Sequence, residues 1–136
     1  MAQLISDRRD IDFVLYEQMK AEDLFKTEKF SEFNRKTADM IISEARNFAI
    51  REILPTYAEG DREGVRFDKG KVTVPACFRR AHKLFAEGEW GAMTANPEWG
   101  GQGLPHLIAQ IASEGWGLNI MWFYFCINNY NNLISN

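Results

Sequence analysis

Cysteine is scarce: Cys77 and Cys126 are the only two, and neither sits in a C-x-x-C or C-x-x-C-H context. That excludes a disulfide framework as the organising device and fits two buried thiols in a reducing, cytoplasmic setting. Basic runs are missing as well. The chain carries 16 Lys and Arg against 19 Asp and Glu, a net charge of −3, with no stretch of five basic residues. A phosphate-backbone or anionic-lipid surface is therefore not expected, and no nucleic-acid partner is assigned. Long apolar runs are absent too. The longest, Ile120 to Ile127, falls far short of the ~20 residues a spanning helix needs, so no membrane span is expected. The N-terminus has acids and arginines but no apolar h-region, so it reads as neither a signal nor a transit peptide. Histidine is limited to His82 and His106, with no H-x-x-x-H or H-E-x-x-H grouping, and no metal is expected.

Charge is also unevenly withheld: no charged residue follows Glu114. The last stretch mixes Trp116, Trp122, Phe123, Tyr124, Phe125 and Tyr130 with Asn119, Asn128, Asn129, Asn131, Asn132 and Asn136. It is too polar for lipid and too uncharged for an exposed helix, which implies burial against protein or ligand. The simplest account is that the sequence is the front part of something longer that covers this segment.

What remains is ordinary globular composition, 46% hydrophobic and 13% aromatic over 136 residues, consistent with one folded unit. Ser6 reads as an N-cap before a stripe of Ile11, Val14, Leu15 and Met19. Residues 20–30 alternate in charge and read as one or two helical turns wrapping a surface. The strongest helical signal runs from Ser31 to Leu54, where Ala38, Ile41, Ile42, Ala45, Phe48, Ala49 and Ile53 share one face. Pro55 ends or kinks it, and Thr56 to Gly64 reads as a charged connector. Residues 65–74 offer a small hairpin around Asp68-Lys69-Gly70. Cys77, Phe78, Ala81, Leu84 and Phe85 then make a second core helix that starts near Pro75 and stops at Gly88. Trp90 to Pro105 is a loop, and Leu104, Leu107, Ile108, Ile111 and Ala112 restart helical spacing. The fold class expected is mostly α, with that hairpin.

Few constellations carry chemistry. Cys77 and His82 stand five apart, a poor spacing for one helix face, and a core cysteine is the reading. Gly100, Gly101 and Gly103 lack the G-x-G-x-x-G spacing and the following Lys-Ser/Thr of phosphate-cradling loops, so their expected role is a sharp turn and close backbone approach. Glu59, Asp61 and Glu63 beside Arg62 read as a solvated, salt-bridged face. The one candidate ligand surface is a helical face of Trp122, Phe125, Cys126, Asn129, Tyr130 and Leu133, with core packing as its alternative.

The tract Glu52-Ile53-Leu54-Pro55, Glu59-Gly60-Asp61-Arg62-Glu63-Gly64, Glu87-Gly88-Glu89-Trp90 and Pro97-Glu98-Trp99-Gly100-Gly101-Gln102-Gly103-Leu104-Pro105 resembles the N-terminal helical domain of flavin-dependent acyl-CoA dehydrogenases. Residues 7–16 and an insertion at 61–75 look like the subgroup with an extended N-terminus. The resemblance implies an up-down helical domain over 34–136, truncated at its C-terminal end, preceded by an extension over 1–33. It also implies a three-part enzyme with FAD between a β domain and a C-terminal helical bundle. Such an enzyme desaturates an acyl-CoA thioester at Cα–Cβ and passes electrons to an electron-transfer flavoprotein, commonly as a homo-oligomer. By this resemblance the catalytic base and the main flavin contacts lie beyond Asn136, so no catalytic or cofactor-binding residue is expected here and the chain alone is expected to be inactive. Phe125, Cys126, Asn129 and Tyr130 would then wall the acyl pocket, and the bulk of Trp122 to Phe125 implies a tight, aromatic-lined one. The rival expectation is a stand-alone, non-catalytic helical interaction module.

Overall fold

The computed structural model describes residues 7–114. The fold is mostly α-helical with one two-stranded hairpin. Helix α1, Arg8–Asp12, is capped by Asp7, whose side chain accepts from the Arg9 N–H at 2.8 Å. The chain then widens into a turn of i→i+5 bonds over Phe13–Gln18, closed by the Met19 N–H on the Val14 carbonyl. That wider winding corrects the expected stripe. Ile11 and Leu15 are buried as expected, but Tyr16 joins them while Val14 and Met19 face outward. A bulge of this kind rotates every later side chain relative to a regular 3.6-residue repeat. Short 3₁₀ turns over Ala21–Lys26 and Glu28–Phe30 then wrap the surface.

Helix α2, Arg35–Phe48, begins later than Ser31 because Asn34 caps it, its side-chain oxygen accepting from the Thr37 N–H at 3.0 Å. Ala38, Ile42 and Ala45 are its buried positions, and a second i→i+5 turn, Ala49–Ile53, carries the face on through Ala49 and Ile53. Pro55 does not end helicity. A 3₁₀ turn, Leu54–Thr56, leads directly into α3, Tyr57–Glu63, so the expected connector is a helix. Proline is tolerated there because a first-turn residue needs no amide donor. Gly60 marks the face of α3 that meets the core: a Cβ there would lie 2.2 Å from Phe78 Cζ.

Strands β1, Arg66–Asp68, and β2, Lys71–Thr73, pair antiparallel with Phe67 opposite Val72, and the turn uses positive φ at Lys69 and Gly70. Helix α4, Phe78–Glu87, buries Phe78 and Ala81 and ends at Gly88. It packs on the Ala49–Ile53 turn, and Arg80 forks onto the Glu52 carboxylate at 2.8 and 3.2 Å. The last helix among the described residues, α5 (106–114), buries Ile108, Ala109 and Ala112. Ile11, Leu15, Ala21, Ala38, Ile42, Ile53, Phe78, Met93, Leu104 and Ile108 belong to one apolar core, so the leading segment and the later helices share an interior.

Candidate functional site

The loop between α4 and α5 is tightly constrained by its own backbone. Two 3₁₀ turns, Trp90–Ala92 and Pro97–Trp99, break it into corners. Asn96 starts the second, its side chain accepting from the Glu98 N–H at 3.0 Å. Gly100 and Gly103 hold φ of 82° and 63°. Gly101 passes so close to the preceding strand of loop that a Cβ would lie 2.1 Å from the Ala95 carbonyl oxygen. The expected role of these glycines in turning and close approach is thus what the backbone requires.

Their amides are all engaged inside the loop. Gly100 N–H donates to the Pro97 carbonyl at 3.0 Å, Gly101 to Asn96 at 3.1 Å, Gln102 to Ala92 at 3.1 Å and Gly103 to Ala95 at 3.0 Å. A phosphate cradle needs these donors turned outward and free. The loop therefore does not fit the pyrophosphate of a dinucleotide cofactor.

Beside the loop lies a cleft of about 200 Å³. Phe85, Trp90, Met93 and Thr94 line one side, and His106, Ala109, Gln110 and Ser113 of α5 the other. It is smaller than the roughly 300–1,000 Å³ typical of small-molecule pockets. Its aromatic wall is braced from behind, where Phe48 stacks on Trp90 at 6.2 Å between centroids and tilts against Phe85 at 6.4 Å. Nothing local in the sequence marks this trio, because Phe48 comes from α2 and meets the others only through the fold.

A second cluster pins the leading segment to α2. Arg8 donates to Asp12 at 2.8 Å, to Asp39 at 2.5 Å and to the Ser43 hydroxyl at 2.9 Å. The Tyr16 hydroxyl donates to Asp39 at 2.7 Å, while the Arg35 guanidinium lies 4.0 Å over the Tyr16 ring. Burial, reinforced by the Asp39 carboxylate, keeps the Tyr16 phenol protonated well above its ordinary range. This network clamps rather than reacts. Cys77 is half-buried and free, and burial together with Glu59 and Glu63 pushes its thiol up, the wrong direction for a nucleophile.

Among the described residues, no three His, Cys, Asp or Glu side chains gather as a metal site. The sequence-derived candidates Trp122, Phe125, Cys126, Asn129, Tyr130 and Leu133 all lie outside the described residues. Among those described, no helix is long and apolar enough to cross a membrane.

No family model matches the chain. Over 106 residues, 78% of this chain, it is 28% identical to a 3-methylmercaptopropionyl-CoA dehydrogenase of Ruegeria pomeroyi. The chain is similar to an acyl-CoA dehydrogenase. The resemblance read from the glycine loop and its flanking segments thus has an independent counterpart. The aligned stretch spans only 18% of that dehydrogenase's length.

Proposed function

We propose that the chain is the N-terminal helical domain of a flavin-dependent acyl-CoA dehydrogenase, an oxidoreductase that desaturates an acyl-CoA thioester at Cα–Cβ. The observation that carries the reading is the 28% identity over 78% of this chain. The helical fold and the glycine loop leading into α5 are consistent with it.

In this reading the domain contributes a pocket wall and an interdomain surface, with residues 1–33 as an extension preceding a helical unit that starts at 34. Trp122, Phe125, Cys126, Asn129, Tyr130 and Leu133, which follow α5 in sequence, supply that wall. As the resemblance implies, the catalytic base and the main FAD contacts come from other domains, and the internally bonded amides of the glycine loop are consistent with that. Electron-transfer flavoprotein as acceptor, a homo-oligomeric assembly and a cytoplasmic location complete the proposal.

The relative's name specifies 3-methylmercaptopropionyl-CoA, a short acyl thioester. Bulky Trp122, Phe123, Tyr124 and Phe125 favour a similarly short substrate here. The test is anaerobic addition of short, medium and long acyl-CoA thioesters to the protein of the complete reading frame, following flavin absorbance. Bleaching by short thioesters is expected. A long-chain preference would overturn the pocket assignment, and absence of bleaching by any thioester would overturn the function.

A further inference from the structure

We propose that Trp99 is the anchor by which this domain docks onto the remainder of its own polypeptide, its indole entering an apolar socket there. The proposal rests on the reading that the chain is one domain of a longer dehydrogenase. Trp99 is 86% exposed, more than any other large apolar side chain among the described residues. Tryptophan buries a large apolar body and carries one N–H that seeks an acceptor, so it is enriched where proteins meet.

The loop that bears it is already rigid. Trp99 N–H donates to the Asn96 carbonyl at 2.9 Å, and every amide from Gly100 to Leu104 is likewise bonded within the segment that starts at Ala92. Pro97 is held against Gly103, whose added Cβ would lie 3.0 Å from Pro97 Cγ. Gln102 also donates to the Glu89 carbonyl at 3.4 Å. A ring presented by so constrained a backbone loses little freedom when it is covered, which is the condition for an efficient anchor. With the loop amides consumed internally, the side chain is what the tip offers a partner. The loop leaves at Thr94 and returns at His106, both of which line the aromatic cleft, so one short rigid segment joins tip and cleft.

The partner is assigned to the same polypeptide because the matched stretch is only 18% of the similar dehydrogenase, leaving most of such a chain to cover the tip. Hydroxyl-radical footprinting of the protein from the complete reading frame, read by mass spectrometry, tests this. Trp99 is expected to oxidise several-fold more slowly than a tryptophan in an unfolded peptide, with protection unchanged on dilution to the monomer. Phe67, 73% exposed on the hairpin, is the internal comparison for an uncovered ring. Trp99→Ala, which removes a ring 86% exposed in this domain and is expected to leave its thermal unfolding unchanged, is expected to speed proteolytic separation of this domain from the rest.

Rapid oxidation of Trp99 overturns the docking, and protection lost on dilution assigns the contact to a second copy instead. Flavin content of the same preparation separates the two claims. Flavin present with Trp99 uncovered sinks the anchor alone, whereas flavin absent sinks the dehydrogenase reading and the anchor with it.

Discussion

At Gly101 the backbone leaves no room for a side chain, since the nearest atom to an added Cβ is the Ala95 carbonyl oxygen at 2.1 Å. Backbone cannot step aside as a side-chain tip can, so Gly101→Ala is expected to destabilise by about 3 kcal/mol. Urea denaturation would show it, and a loss below that of an ordinary surface substitution would contradict the loop geometry. Tyr16→Phe tests the clamp: losing the 2.7 Å bond to Asp39 should cost about 1 kcal/mol, because Arg8 still satisfies that carboxylate. A neutral effect in thermal melts would show that the hydroxyl contributes nothing. The glycine role was legible in the sequence because clustered glycines signal turns. The Tyr16 role was not, since its partner Asp39 and the wide turn that aims it inward are both products of the tertiary fold.

At the scale of elements, the long apolar face of α2 was legible almost to the residue, because Ala38, Ile42 and Ala45 keep a regular helical repeat. Its start was not: Asn34 caps it, and Asn34→Ala is expected to cost about 1 kcal/mol of stability. An unchanged melting temperature would argue that the helix begins elsewhere. The connector expected after Pro55 proved helical because its charges, Glu59, Asp61, Arg62 and Glu63, line the exposed side of α3 while Gly60 is its buried residue and approaches Phe78. Between α4 and the end of the α2 run, Arg80 holds the Glu52 carboxyl below its ordinary 4.5. A carboxyl depressed on folding adds stability above its unfolded value and loses it as pH falls through the folded one. Wild-type stability should therefore fall more steeply below pH 4.5 than that of Glu52→Gln, the two converging in acid. Parallel curves across that window would show the pair to be energetically idle.

For the molecule as a whole, the helical class and the hairpin were legible from periodicity and turn residues, whereas the pocket residues expected at Trp122, Phe125, Cys126, Asn129, Tyr130 and Leu133 lie outside the described residues. The described residues bring together a hydrogen-bonded loop, an aromatic cleft and a clamp, and among them they offer no metal cluster and, at the glycine loop, no open phosphate cradle. Under the proposed reading as a wall and a docking face, the charge-free stretch after Glu114 and the exposed Trp99 are the two features that need a covering surface. The central claim is that it works as part of a flavoenzyme. The most direct measurement is the intact mass and visible spectrum of the native polypeptide isolated from its source. The account predicts a species far heavier than 15.7 kDa carrying flavin absorbance. A colourless polypeptide of 15.7 kDa would contradict it and return the fold to a free-standing interaction module.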